Sequence, residues 1–68
     1  MELMKANYKQ VQLAMMRACI DPKQLQRAAG ISYAAVKRVM NAEPVKLSTI
    51  GKVARALGVD PAELVERE

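Results

Sequence analysis

The dipeptide Asp-Pro occurs twice, at Asp21-Pro22 and Asp60-Pro61, and each time it carries the chemistry of a helix start. An aspartate side chain accepts from the free N–H groups of a first helical turn, and proline is pre-set for the first helical position. Gly30 and Gly58 mark stops, because glycine takes the left-handed backbone that ends a helix. Pro44 prevents a helix from continuing through the segment Asn41-Ala42-Glu43-Pro44. These marks cut the chain into five short segments, none long enough to be stable as an isolated helix. Each must therefore be held by packing against the others. No stretch alternates like a strand, so the expected architecture is all-α, one five-helix domain with a core over about residues 7–65.

The segments follow from spacing. The first runs from about Asn7 to Ala18, with Val11, Ala14, Met15 and Ala18 at helical intervals. The second starts at Asp21-Pro22-Lys23-Gln24, where Gln24 stands at the capping-box position, and it offers Leu25, Ala28 and Ala29 to a core. The third starts at Ser32, a good cap, and reaches Met40 or Asn41. The fourth runs from Leu47 or Ser48 to Leu57 with a core stripe of Leu47, Ile50, Val53, Ala54 and Leu57, leaving Lys52 and Arg55 to solvent. The fifth follows Asp60-Pro61 and buries Leu64 and Val65.

With 68 residues, the chain is near the lower limit for a domain that folds alone. Cys19 is its only cysteine and it has no histidine, so neither a disulfide nor a Cys/His metal set can assist. Helix packing, or a second copy of the chain, must supply the stability. Phe and Trp are absent, which disfavours a β-sandwich. No apolar run approaches the roughly 18 residues of a membrane span, and no signal-peptide core is followed by a cleavage site. A cytoplasmic protein is expected.

Charge is unevenly spread. Residues 1–55 carry ten Lys/Arg against Glu2, Asp21 and Glu43, a balance of +7. Residues 56–68 carry Arg67 against Asp60, Glu63, Glu66 and Glu68, a balance of −3. A basic body suits a polyanion, with the acidic tail turned away from it.

Residues 21–41 hold the most informative arrangement, two short helices joined by a tight turn at Gly30-Ile31-Ser32. On the third segment, Val36, Val39 and Met40 share one face, while Ala34, Lys37, Arg38 and Asn41 share the other, with Tyr33 at the boundary. A DNA major groove admits one helix if its inserted face carries no bulky apolar group. Ala34 and Ala35 keep the first turn slim, Lys37 and Arg38 can reach guanine acceptors or phosphates, and Asn41 can donate to a phosphate. Periodicity alone leaves open a plain bundle in which Lys37 and Arg38 mark a solvated face.

The sequence resembles the Cro/CI-type (XRE) family of phage-repressor-like helix-turn-helix proteins. The matching stretches are Asp21-Pro22-Lys23-Gln24-Leu25, Ala28-Ala29-Gly30-Ile31-Ser32, Val36-Lys37-Arg38-Val39 and Val53-Ala54-Arg55-Ala56-Leu57-Gly58-Val59. Ala28-Ala29-Gly30-Ile31-Ser32 also resembles the LacI-type motif, but the extra preceding helix and the Ala56-Leu57-Gly58-Val59 ending fit the Cro/CI type better. The resemblance implies a lambda-repressor-like fold whose third helix enters the major groove of double-stranded DNA, usually to regulate transcription. It places Ser32, Tyr33, Ala34, Lys37 and Arg38 near bases or adjoining phosphates, and it assigns Asn41, Lys46 and the start of the fourth helix to the backbone. Three positions depart from the family pattern. A phosphate-binding glutamine is replaced by Pro22, leaving Lys23 to take its place. Gln26 stands where alanine is usual. An Arg–Glu pair between the first and third helices is replaced by Met15 and Met40, which are expected to touch.

An enzyme is not expected, because the chain offers no histidine for proton transfer and no Gly-rich phosphate loop, and Asp21 and Asp60 are accounted for as caps. No cofactor or small-molecule ligand is implied. Cys19 reads as an inert packing residue at the end of the first helix. One copy makes few contacts, so a homodimer on a palindromic site is expected, with dimerisation on DNA alone as a variant. The competing reading is a protein-interaction module of the same fold, antitoxin-like or partner-binding, with weak DNA binding. Its motive is the methionine-rich start, with Met1, Met4, Met15 and Met16 beside Leu3 and Leu13. The plainer reading makes Met15 and Met16 core and leaves residues 1–4 disordered.

Overall fold

The computed structural model describes residues 3–65. Five helices form: α1 (Tyr8–Ala18), α2 (Pro22–Ala29), α3 (Tyr33–Met40), α4 (Leu47–Leu57) and α5 (Pro61–Leu64). Two three-residue strands accompany them, β1 (Leu3–Lys5) before α1 and β2 (Pro44–Lys46) between α3 and α4. They pair antiparallel, with Leu3 opposite Lys46, Met4 opposite Val45 and Lys5 opposite Pro44. The five-helix reading stands and a small sheet is added to it. Periodicity missed the sheet because a three-residue strand offers barely one alternation, as in exposed Pro44, buried Val45, exposed Lys46. The expected disorder at the start does not extend to Leu3 and Met4, which lie in β1; Met1 is outside the described residues.

The helix starts form as their residues dictate. The Gln24 N–H donates to Asp21 Oδ1 at 2.8 Å and the Asp21 N–H to Gln24 Oε1 at 2.9 Å, a closed capping box. Ser32 Oγ accepts from the Ala35 N–H at 3.1 Å, and Asp60 Oδ1 from the Ala62 N–H at 2.9 Å. Asn7 serves α1 in the same way.

The core is wholly aliphatic. Val11, Ala14 and Met15 of α1 meet Leu25 of α2, Val36 and Val39 of α3, Ile50, Val53, Ala54 and Leu57 of α4, and Leu64 of α5. α2 packs against both α3 and α4, which fixes the helix-turn-helix on the rest of the domain. Four expected core members are not in it. Leu47 is 45% exposed and Met16 69%, and Ala18 and Ala28 also face solvent. Leu47 begins α4 and lines a surface depression with Met4, Pro61 and Val65.

Cys19 is likewise exposed and not a packing residue. It is the left-handed residue that closes α1, with φ 58°. Its N–H donates to the Met16 carbonyl and the Ile20 N–H to the Met15 carbonyl, the paired bonds of a Schellman motif. Met15 and Met40 line one surface depression together with Ile20 and Pro22.

Candidate nucleic-acid interface

α3 is oriented by its own two faces. Val36 and Val39 are buried, and Met40 packs partly against the core. Tyr33, Ala34, Lys37, Arg38 and Asn41 are therefore turned outward, and all five are exposed. The slim first turn expected from Ala34 and Ala35 is present. Lys37 and Arg38 also fall in the last turn, where a cation favours the negative end of the helix. That local role does not require their side chains to be held, so both remain free to meet a ligand.

The outward face has two flanks. On one, Ser32, Ala34, Ala35 and Arg38 line an open concavity together with Pro44, Val45, Lys46, Thr49 and Leu3. On the other, Tyr33, Lys37 and Asn41 border a smaller depression with Pro22. Of the residues singled out in sequence, Ser32, Ala34, Arg38 and Lys46 thus come together, and Tyr33, Lys37 and Asn41 form a second group. Lys23 is exposed in the first turn of α2 and lines neither depression.

The two helix starts beside α3 differ in electrostatics. α2 begins with the Asp21–Gln24 box, so its Gln24 N–H is engaged by an anionic side chain, and Pro22 contributes no N–H. α4 follows Lys46, has no side-chain cap bond and carries no acid in its first turn. An uncapped helix start beside a lysine favours anions, through free N–H groups and the positive end of the helix dipole. Of the two starts, that of α4 is therefore the one without a side-chain cap.

Sequence reasoning named the start of α4 for this interface but neither Thr49, which lines the concavity, nor Pro44 and Leu3. The fourth segment's boundary could have flagged Thr49, one turn in. Nothing local to Leu3 marks it, because its position depends on pairing with residues far along the chain.

A family model of the Cro/C1-type HTH DNA-binding domain matches residues 10–68. The fold recurs in the restriction-modification controller protein C.AhdI of Aeromonas hydrophila, at 23% identity and TM-score 0.73, over 82% of this chain and 86% of that one. It recurs also in PhpD, solved with cadmium and hydroethylphosphonate, at 19% identity and TM-score 0.78. That match covers 94% of this chain but only 14% of PhpD. No curated protein matches the sequence. The chain belongs to the Cro/C1-type helix-turn-helix DNA-binding family.

Proposed function

We propose that the chain is a sequence-specific regulator of transcription, a repressor, that places α3 in the major groove of double-stranded DNA. The observation that carries this reading is the outward face of α3, slim at Ala34 and cationic at Lys37 and Arg38, beside the uncapped start of α4. Arg38 and Lys37 read base edges or clasp phosphates, and Ser32, Asn41, Lys46 and the first N–H groups of α4 hold the backbone. The capping bond occupies a lone pair of Ser32 Oγ and leaves its O–H to donate.

A single α3 contacts few base pairs. Two copies on a palindrome, with their recognition helices about 34 Å apart, supply the specificity that one lacks. The family match and the fold shared with a restriction-modification controller support a regulatory role. Neither an enzymatic activity nor a cofactor forms part of this proposal.

The test is an operator selected from random duplexes by the purified protein, followed by titration of the Lys37→Ala/Arg38→Ala double variant. Binding to the selected operator is expected to fall at least about fivefold, since one good bidentate base contact alone carries about 1–3 kcal/mol. A folded double variant that binds the operator unchanged would remove α3 from the reading role.

The competing reading, a protein-interaction module, draws on one observation, that the fold also occurs as a small part of the much longer PhpD. A purified chain that selects no duplex, and shows no salt-dependent DNA affinity, would favour it.

A further inference from the structure

The strand β1 is not explained by the helix-turn-helix. It precedes the residues that the family model matches, which begin at 10. Its first residue, Leu3, is 55% exposed. The register decides where it faces. Leu3 pairs with Lys46 and Lys5 with Pro44, and directly opposed residues of an antiparallel ladder share a face. Alternation puts Leu3 and Lys5 on the same face of their strand. Three of these four residues, Leu3, Pro44 and Lys46, line the concavity beside Arg38. Lys5 is the fourth, and it is exposed. It stands diagonally from Lys46, at about 7–8 Å for such a pair.

We propose that β1 is a second DNA-binding element, in which Lys5 neutralises a backbone phosphate next to the one met by Lys46 and Leu3 closes the rim of the recognition concavity against the sugar edge. The ribbon then widens the footprint of α3 on the side of the α4 start. The inference rests on the DNA-binding reading above but concerns residues outside the family match. Two acids stand next to this face in sequence, Glu2 before Leu3 and Glu43 before Pro44, and a surface pairing of Lys5 with an acid is the structural alternative.

The experiment measures affinity for a duplex against salt concentration for the unaltered chain, Lys5→Gln, Lys5→Arg and Arg55→Gln. Each phosphate contact adds about 0.9 to the slope of log affinity on log salt. Lys5→Gln is expected to flatten the slope by about 0.9, so that its affinity falls about 3.5-fold less than that of the unaltered chain between 50 and 200 mM salt. Lys5→Arg should keep the slope. Arg55→Gln, in the last turn of α4 and away from the concavity, should leave it unchanged. An unchanged slope for Lys5→Gln, with the unaltered chain binding well, would overturn the assignment to β1 while sparing α3. Equal flattening by Arg55→Gln would overturn it too, because net charge would then explain the effect. If the unaltered chain shows no salt-dependent binding, it is the DNA-binding reading that fails.

Discussion

At Cys19 and Ala42 the backbone enters the left-handed region, with φ of 58° and 57°. Side chains of L-residues meet the following carbonyl there, at a cost of about 1–2 kcal/mol. What holds each residue is the pair of hydrogen bonds it completes. The Ala42 N–H donates to the Val39 carbonyl and the Glu43 N–H to the Arg38 carbonyl, matching the pattern at Cys19. Glycine would relieve the strain, while its freedom in the unfolded chain takes back about 0.4–1 kcal/mol. Cys19→Gly is therefore expected to stabilise the domain by about 0.5–1 kcal/mol, seen in urea as a higher midpoint with an unchanged slope. A lower midpoint would mean that the Cys19 side chain contributes packing after all, as the sequence had suggested.

At the scale of the element, α4 carries a glycine in its interior. A Cβ added at Gly51 would meet nothing within 4 Å, and the residue has helical backbone. Glycine is less favourable than alanine in a helix by about 0.8–1.0 kcal/mol, so Gly51→Ala should stabilise the monomer by roughly that amount. For a domain of this size, thermal unfolding should move up by roughly 4–8 °C per kcal/mol. A fall instead would show that the open space is filled in solution, by a second copy for example. Which elements were legible in sequence depends on how local their cause is. Asp21, Ser32, Asp60, Gly30 and Gly58 set helix limits through bonds to their own near neighbours, and these limits are found where expected. The ends at Cys19 and Ala42 use the same bonds without the glycine that advertises them. The β1–β2 pair joins residues about forty positions apart, and its strands are too short for alternation to show. The candidate interface divides in the same way. Lys37, Arg38 and Ala34 follow from the wheel of one helix, whereas Leu3, Lys5 and Thr49 join it only through the fold.

The whole molecule is closed by a clasp between its two described ends. The Asn7 N–H donates to the Leu64 carbonyl at 2.7 Å, Ala6 pairs with Val65, and both Ala6 and Leu64 are 1% exposed. α5 is only four residues long and packs on α1 and α4, so Leu64 is its principal anchor. The aliphatic core has no disulfide behind it, and a chain of this length commonly holds a total stability of about 3–10 kcal/mol. Removing a buried leucine side chain costs about 2–5 kcal/mol, a large part of that total. Leu64→Ala should therefore lower the unfolding midpoint sharply, and the helical circular dichroism of all five helices should be lost together in that earlier transition. DNA binding should fall with the folded fraction and recover when excess operator draws the chain back to the native state, because a ligand of the folded form alone stabilises it by mass action. Loss of α5 alone, with α1–α4 still melting cooperatively near the original midpoint, would show that the clasp is an addition to a self-sufficient four-helix core. In that case the ribbon and α5 would tune the interface, and the helix-turn-helix would stand without them.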